Sequence, residues 1–186
     1  MSWSRPSVAP RSGAGWTRDA IRPWRHRSWL FPRDPEFAER AGLALDLCER
    51  HWDGSPLGPR DYVISADEKT SIQARQRRHA AAPVAPGRAM RVEHEYRRHG
   101  AWAYLAAWDV HRARLFGRCE ARNGIAAFDR LVEHVMSQEP YRSAWRVFWV
   151  IDNGSAHRGA KADARLRQRW PALVPVHTPL HANWLN

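Results

Sequence analysis

Val147-Phe148-Trp149-Val150-Ile151-Asp152-Asn153-Gly154 is five apolar residues with no polar interruption, then an acid, an amide and a glycine. A strand wetted on one face alternates apolar and polar side chains, so an unbroken run of this length belongs to a strand covered on both faces. Asp152, Asn153 and Gly154 carry turn chemistry and end it. Downstream, 156–170 reads as a basic helix and 173–177 as a further strand, an order that a parallel pair with a helical crossover satisfies.

Upstream of the run, Asn123 stands as a cap before a helix that sets Ile125, Phe128, Leu131, Val132, Val135 and Met136 on one face, stopped by Pro140. Residues 101–110 and 113–119 flank a tight His111–Arg112 connection and read as a hairpin. Residues 90–98 alternate, which predicts a separate strand with one solvated face. Residues 62–66 read as a short strand ending at Asp67. Earlier still, Asp34 and Pro35 form a helix start, and Phe37, Ala41, Ala44, Leu45, Cys48 and Trp52 continue it at spacings of three and four until Gly54, Pro56, Gly58 and Pro59. The sum is a mixed α/β sheet with flanking helices.

The chain of 186 residues has 30 basic and 19 acidic side chains and a net charge of +11; only Lys69 and Lys161 are lysines. Eleven tryptophans and 44% apolar residues supply core material and exclude a wholly disordered chain. No apolar stretch approaches the ~20 residues of a membrane span, so no membrane association is expected. The first 33 residues hold seven arginines and one acid but no apolar core of a secretory signal, and the expected location is the cytoplasm. Cys48 and Cys119 form no CxxC pair and read as small apolar residues. The basic balance has two readings, a polyanionic partner or codon bias toward arginine, and charge does not choose between them.

Residues 1–15 show no periodicity and read as a disordered segment. In 16–60, a basic linker plus helix, Arg22, Trp24, Arg25, His26 and Arg27 interleave rings with cations. Such a stretch suits DNA phosphates at Arg25 and Arg27, or a tail folded over the core through Trp24 and Trp29. Residues 61–186 hold the chemistry. Asp67 and Asp152 each follow a short apolar strand, and the carboxyl ends of strands in an open α/β sheet form the crevice where ligands bind. Two carboxylates brought together repel unless a cation lies between them, and hard oxygen ligands suit Mg²⁺. An aspartate that only caps a turn is the plain alternative at each position. Glu68, next to Asp67, should point to the opposite face and pair with Lys69 or a nearby arginine. Arg75, Arg77 and Arg78 form a positive cluster suited to a DNA backbone or to a solvated loop. His177 and His181 have no cysteine partners and poor spacing for zinc.

Three blocks carry a family resemblance. Ser65-Ala66-Asp67-Glu68-Lys69-Thr70-Ser71-Ile72-Gln73-Ala74-Arg75 resembles the first catalytic strand of mariner-like insertion-sequence DDE transposases, the DDE superfamily endonucleases. Val150-Ile151-Asp152-Asn153-Gly154-Ser155-Ala156-His157-Arg158 is similar to their second, and His177-Thr178-Pro179-Leu180-His181-Ala182-Asn183-Trp184-Leu185-Asn186 to the lead-in to their third acid. The resemblance implies an RNase H-like fold, Mg²⁺ or Mn²⁺ as cofactor, and double-stranded DNA at transposon ends as partner. It also allows a homodimer or an intact transposase as protein partner. It makes Asp67 and Asp152 the catalytic, metal-binding acids and sets His157 near bound phosphate or in a capping role. The family's last acid falls three positions past Asn186, and its helix-turn-helix modules precede the matching region. The expectation is therefore a catalytic domain incomplete at the C-terminus, a transposase fragment inactive alone, or a DNA-binding protein derived from one.

Overall fold

In the computed structural model, which describes residues 33–180 and 182, the 147–151 run lies inside a five-stranded sheet. The elements follow in the order α1 (Phe37–Cys48), β1 (His51–Trp52), β2 (Ser55–Pro56), β3 (Asp61–Arg77), β4 (Tyr96–Asp109), β5 (Arg114–Glu120), α2 (Ile125–Met136), β6 (Arg146–Ile151), α3 (Ala160–Arg169) and β7 (Leu173–His177). The sheet order is β5-β4-β3-β6-β7; β3, β4 and β5 form an antiparallel meander, and β6 and β7 add in parallel. The short β1–β2 pair stands apart from it.

The apolar run explains this layering. Trp149 and Phe148 are 1% and 0% exposed and, as neighbours on a strand, face opposite sides. On one side Ile64, Ala66, Trp149 and Ile151 pack under α2 and α3 through Phe128, Leu131, Val132, Val135 and Leu166. On the other, Val63, Phe148, Val150 and Val176 meet Ala44 and Leu47 of α1 together with Leu57. Each fully buried side chain of this size contributes roughly 1.5–3 kcal/mol, which holds both helical layers on one strand. The described residues fall in one compact unit.

Several expected bounds shift. The first helix ends at Cys48 because Arg50 takes φ 65°, and Trp52 instead lies in β1 with its ring 4.7 Å from Phe148. Pro35 precedes the helix proper, and Asp34 Oδ1 accepts the Glu36 N–H at 3.0 Å. The strand expected over 62–66 runs on to Arg77, since β4 still satisfies its backbone after β6 has stopped. Residues 90–95 lie outside the sheet, and the two expected segments 90–98 and 101–110 give one strand starting at Tyr96. Asn123 offers no cap to the first turn of α2, whose N-cap position is Gly124. A turn at 155–157 delays α3 to Ala160. Both cysteines are exposed.

Candidate active site

Parallel β3 and β6 pair from Asp61↔Arg146 to Ala66↔Ile151. Asp67 and Asp152 each stand one residue past the last pair, Asp67 still within β3 and Asp152 where β6 has already ended. The two differ in setting. Asp67 is exposed, inside β3, with Oδ1 accepting the Glu68 N–H at 2.7 Å. Asp152 follows β6, and its side chain is 30% exposed. Its Oδ1 accepts two hydrogen bonds, from the Gly154 N–H at 2.8 Å and from His157 Nε2 at 2.8 Å.

Glu68 departs from expectation. Among the described residues it pairs with neither Lys69 nor an arginine; Oε1 accepts from Asn123 Nδ2 at 2.7 Å. Pointing to the face opposite Asp67, it meets the α2 side of the sheet, where Glu68, Asp152 and His157 bring one ligand atom each within 4.8 Å of one another. Asp67 is not among these three. The geometry follows from strand alternation, which the sequence reading used correctly for direction but not for what waits on that side.

His157 is also placed differently. Its ring is 1% exposed, tilted on Phe128 of α2 at 4.5 Å between centroids, so it has no surface to offer DNA phosphates. Its N–H donates to Gly154 O at 3.2 Å and closes the turn. Because Nε2 is committed to Asp152, the donors left near one another for a cation are carboxylate oxygens on Glu68 and Asp152, with the Asp67 carboxylate at the neighbouring position of β3. That hard set fits Mg²⁺ or Mn²⁺ and lacks the free nitrogen or sulfur ligands typical of zinc.

Asp152 lines a cleft of about 490 Å³ with Asn153, Gly154, Arg158, Thr178, Pro179 and Leu180. The wall is knitted across chain segments. Asn153 Nδ2 donates to Thr178 O at 2.7 Å, the Thr178 N–H to Ile151 O at 2.9 Å, and the Leu180 N–H to Asp34 Oδ2 at 2.8 Å. The Leu180 N–H, aided by the Glu36 N–H and Arg40 and opposed by burial, holds the Asp34 carboxyl below its usual value. Sequence reading assigned no role to Arg158, although it stood inside the second quoted block. It missed the Asn123–Glu68 and Asp34–Leu180 contacts, which link positions far apart in the chain and leave no periodic signal. His177 Nε2 lies 2.9 Å from Asp163 Oδ1.

Arg75, Arg77 and Arg78 are exposed along or just past the distal part of β3, beyond Asp67. The Arg75 guanidinium lies 4.3 Å from the Tyr96 ring centroid, Arg77 sits opposite Tyr96 in the ladder, and Arg78 Nη1 is 3.2 Å from Glu95 Oε2. The structure thus gathers them on one projecting arm. Arg25 and Arg27, like His181 and residues 183–186, lie outside the described residues.

Comparison with known proteins adds three findings. A family model described as DDE superfamily endonuclease matches residues 62–186. Among solved structures, the Mos1 mariner paired end complex with Mn aligns at TM-score 0.50 and 12% identity over 95% of this chain and 56% of that one. The Mos1 transposase paired-end complex with left transposon end aligns at TM-score 0.51 and 16% identity, over 95% and 52%, and the Mos1 Strand Transfer Complex at 0.51 and 13%, over 94% and 51%. The chain therefore spans about half the length of these structures. No curated protein matches. At such identity the alignments speak for the fold, a mixed sheet of the RNase H-like kind found in transposase catalytic domains. With that fold in place and the model covering most of its length, the chain belongs to the DDE superfamily endonuclease family.

Proposed function

We propose that this chain is the catalytic part of an insertion-sequence transposase, for metal-dependent cleavage and joining of DNA phosphodiesters at transposon ends. The observation that carries the reading is the end of the β3–β6 ladder, where Asp67 and Asp152 each stand one residue past the last pair and Asp152 lines the cleft. Family membership supplies the reaction class, and the Mos1 complexes with Mn and with transposon ends support the choice of cation and partner.

In this reading Asp67 and Asp152 hold the cation, with Glu68 close enough to Asp152 to contribute. Bound there, Mg²⁺ or Mn²⁺ would activate water or a 3′-hydroxyl and stabilise the leaving oxygen. The chain's own residues bind and orient. Arg158 at the cleft mouth faces a phosphate with its cation, and Arg75, Arg77 and Arg78 contact the backbone of duplex further out. Such a protein acts on chromosomal DNA, in the cytoplasm at the nucleoid.

The test is Mn²⁺ titration calorimetry on the 186-residue chain and its Asp67→Asn and Asp152→Asn variants, beside DNA binding to terminal inverted repeats, random duplex and RNA–DNA hybrid. Mn²⁺ binding that either substitution weakens, with a preference for the repeats, is expected. Binding indifferent to both substitutions overturns the reading. The exposed arginine arm favours a second reading, a transposase-derived protein that holds DNA without cutting it. That reading requires DNA affinity without a carboxylate-dependent cation site.

A further inference from the structure

The Asp152 carboxylate has about four lone-pair positions, two on each oxygen. Both on Oδ1 are taken, by the Gly154 N–H and by His157 Nε2, each at 2.8 Å. A carboxylate only accepts, so Nε2 carries the proton in this contact. Among the described residues no donor reaches Oδ2.

His157 is an expensive way to fill its position. It is 1% exposed, and among the described residues its buried Nδ1 has no hydrogen-bond partner. An unpaired buried polar atom costs about 1–3 kcal/mol, and an apolar ring of similar size would stack on Phe128 without that penalty. Among the described residues the imidazole's one polar contact is with Asp152, so the ring's polarity has one use in this fold. The turn around it is equally specific: a Cβ on Gly154 would lie 2.9 Å from Asp152 Oδ1, 3.0 Å from His157 Cε1 and 3.1 Å from Nε2.

We infer that His157 is a positioning residue that, with the Gly154 N–H, ties up Asp152 Oδ1 and leaves Oδ2 as the single oxygen Asp152 gives to a divalent cation. The inference rests on the metal-binding reading above and deepens it. Asp152 is a one-oxygen ligand of fixed orientation, and its direction is set by α2 through the Phe128–His157 stack. Removing a hydrogen-bond partner of a ligating group commonly weakens metal binding about 10–100-fold.

The experiment uses the 186-residue chain with Mn²⁺ as probe, read by calorimetry and by the Mn²⁺ electron paramagnetic resonance signal, with a thermal melt for every variant. His157→Phe keeps the stack and removes the donor; Mn²⁺ affinity should fall about 10–100-fold while the melt stays cooperative. His157→Gln returns an N–H at similar reach and should recover most of that loss. If His157→Phe does not fold, His157→Leu against His157→Gln gives the same comparison. Mn²⁺ binding that is lost in Asp152→Asn but unchanged in His157→Phe overturns the inference and leaves the metal reading intact. Equal weakening in the Gln and Phe variants also overturns it, since a purely structural role would not separate them. A wild-type chain that binds no Mn²⁺ sinks the metal reading and takes this inference with it.

Discussion

Arg146 grips Asp61 with two parallel bonds, Nη2 to Oδ2 at 2.6 Å and Nε to Oδ1 at 3.1 Å, on the first rung of the β3–β6 ladder. Asp67 and Asp152 stand just past the last rung, Ala66↔Ile151. A slip of one residue in register would send every side chain of one strand to the wrong face, so a fork-to-carboxylate clamp at one end specifies which residues follow the last rung at the other. Asp61 also accepts the Gly58 N–H at 2.9 Å. The Arg146 guanidinium holds its carboxyl below the usual value against the opposing effect of burial.

Asp61→Asn should lower the free energy of unfolding by about 1–3 kcal/mol, because the Asp61 side chain is 2% exposed while its partner, at 42%, is partly screened by water. Urea denaturation at neutral pH measures it. An unchanged midpoint would show that the clamp adds nothing to the ladder.

Glu120 gives a pH signature. It joins β5 to α2 by accepting from Arg130 Nε at 3.0 Å and Nη2 at 2.7 Å, and it also meets Arg118. Arg130 foremost, then Arg118, lower its pKa from 4.5 to about 2, against desolvation. A carboxylate depressed in the folded state adds stability in full above the unfolded value and loses it as pH falls through the folded one. Stability should therefore decline between about pH 4.5 and pH 2, and Glu120→Gln should flatten that decline and lower the plateau above it. Thermal melts across this range decide the matter; parallel curves for the two proteins would contradict it.

Gly154→Ala should disturb the Asp152–His157 pair, since the added methyl would meet Asp152 Oδ1 at 2.9 Å. The expected outcome is weaker Mn²⁺ binding with a smaller change in melting temperature. Calorimetry on the variant reads the first and a thermal scan the second, and full-strength Mn²⁺ binding would show that the loop gives way elsewhere.

Replacing Arg75, Arg77 and Arg78 together with alanine should reduce duplex affinity for all sequences alike. If the three neutralise phosphates, the slope of log affinity against log salt becomes shallower by about 2–3. Fluorescence anisotropy over a salt series measures it. A slope that does not move would return these side chains to plain solvation.

The sheet centre was legible because residues 147–151 carry a pattern that few structures satisfy, and 173–177 follows at the distance a helical crossover needs. The far half of β3 was not. Residues 69–77 are almost all polar and exposed, with shifts in register between Lys69 and Ile72 and between Gln73 and Arg75, so no period of two survives in the sequence. Alternation correctly separated Glu68 from Asp67. What it could not supply was Asn123 and His157 on the other side, positions 55 residues and more away that only the folded chain brings in. The burial of His157 was equally invisible, because it comes from Phe128, a residue already accounted for as helix core.

The length of β3 has a mechanical consequence. Ile64, Ser65 and Ala66 are braced by strands on both sides, while from Asp67 onward β4 alone supports it within the sheet. The projecting ribbon is a cantilever, and Asp67 sits at its root, where bending under any load at the tip is felt most strongly. A load on the arginines near its tip would thus act on the backbone of Asp67 itself, well away from where the load is applied.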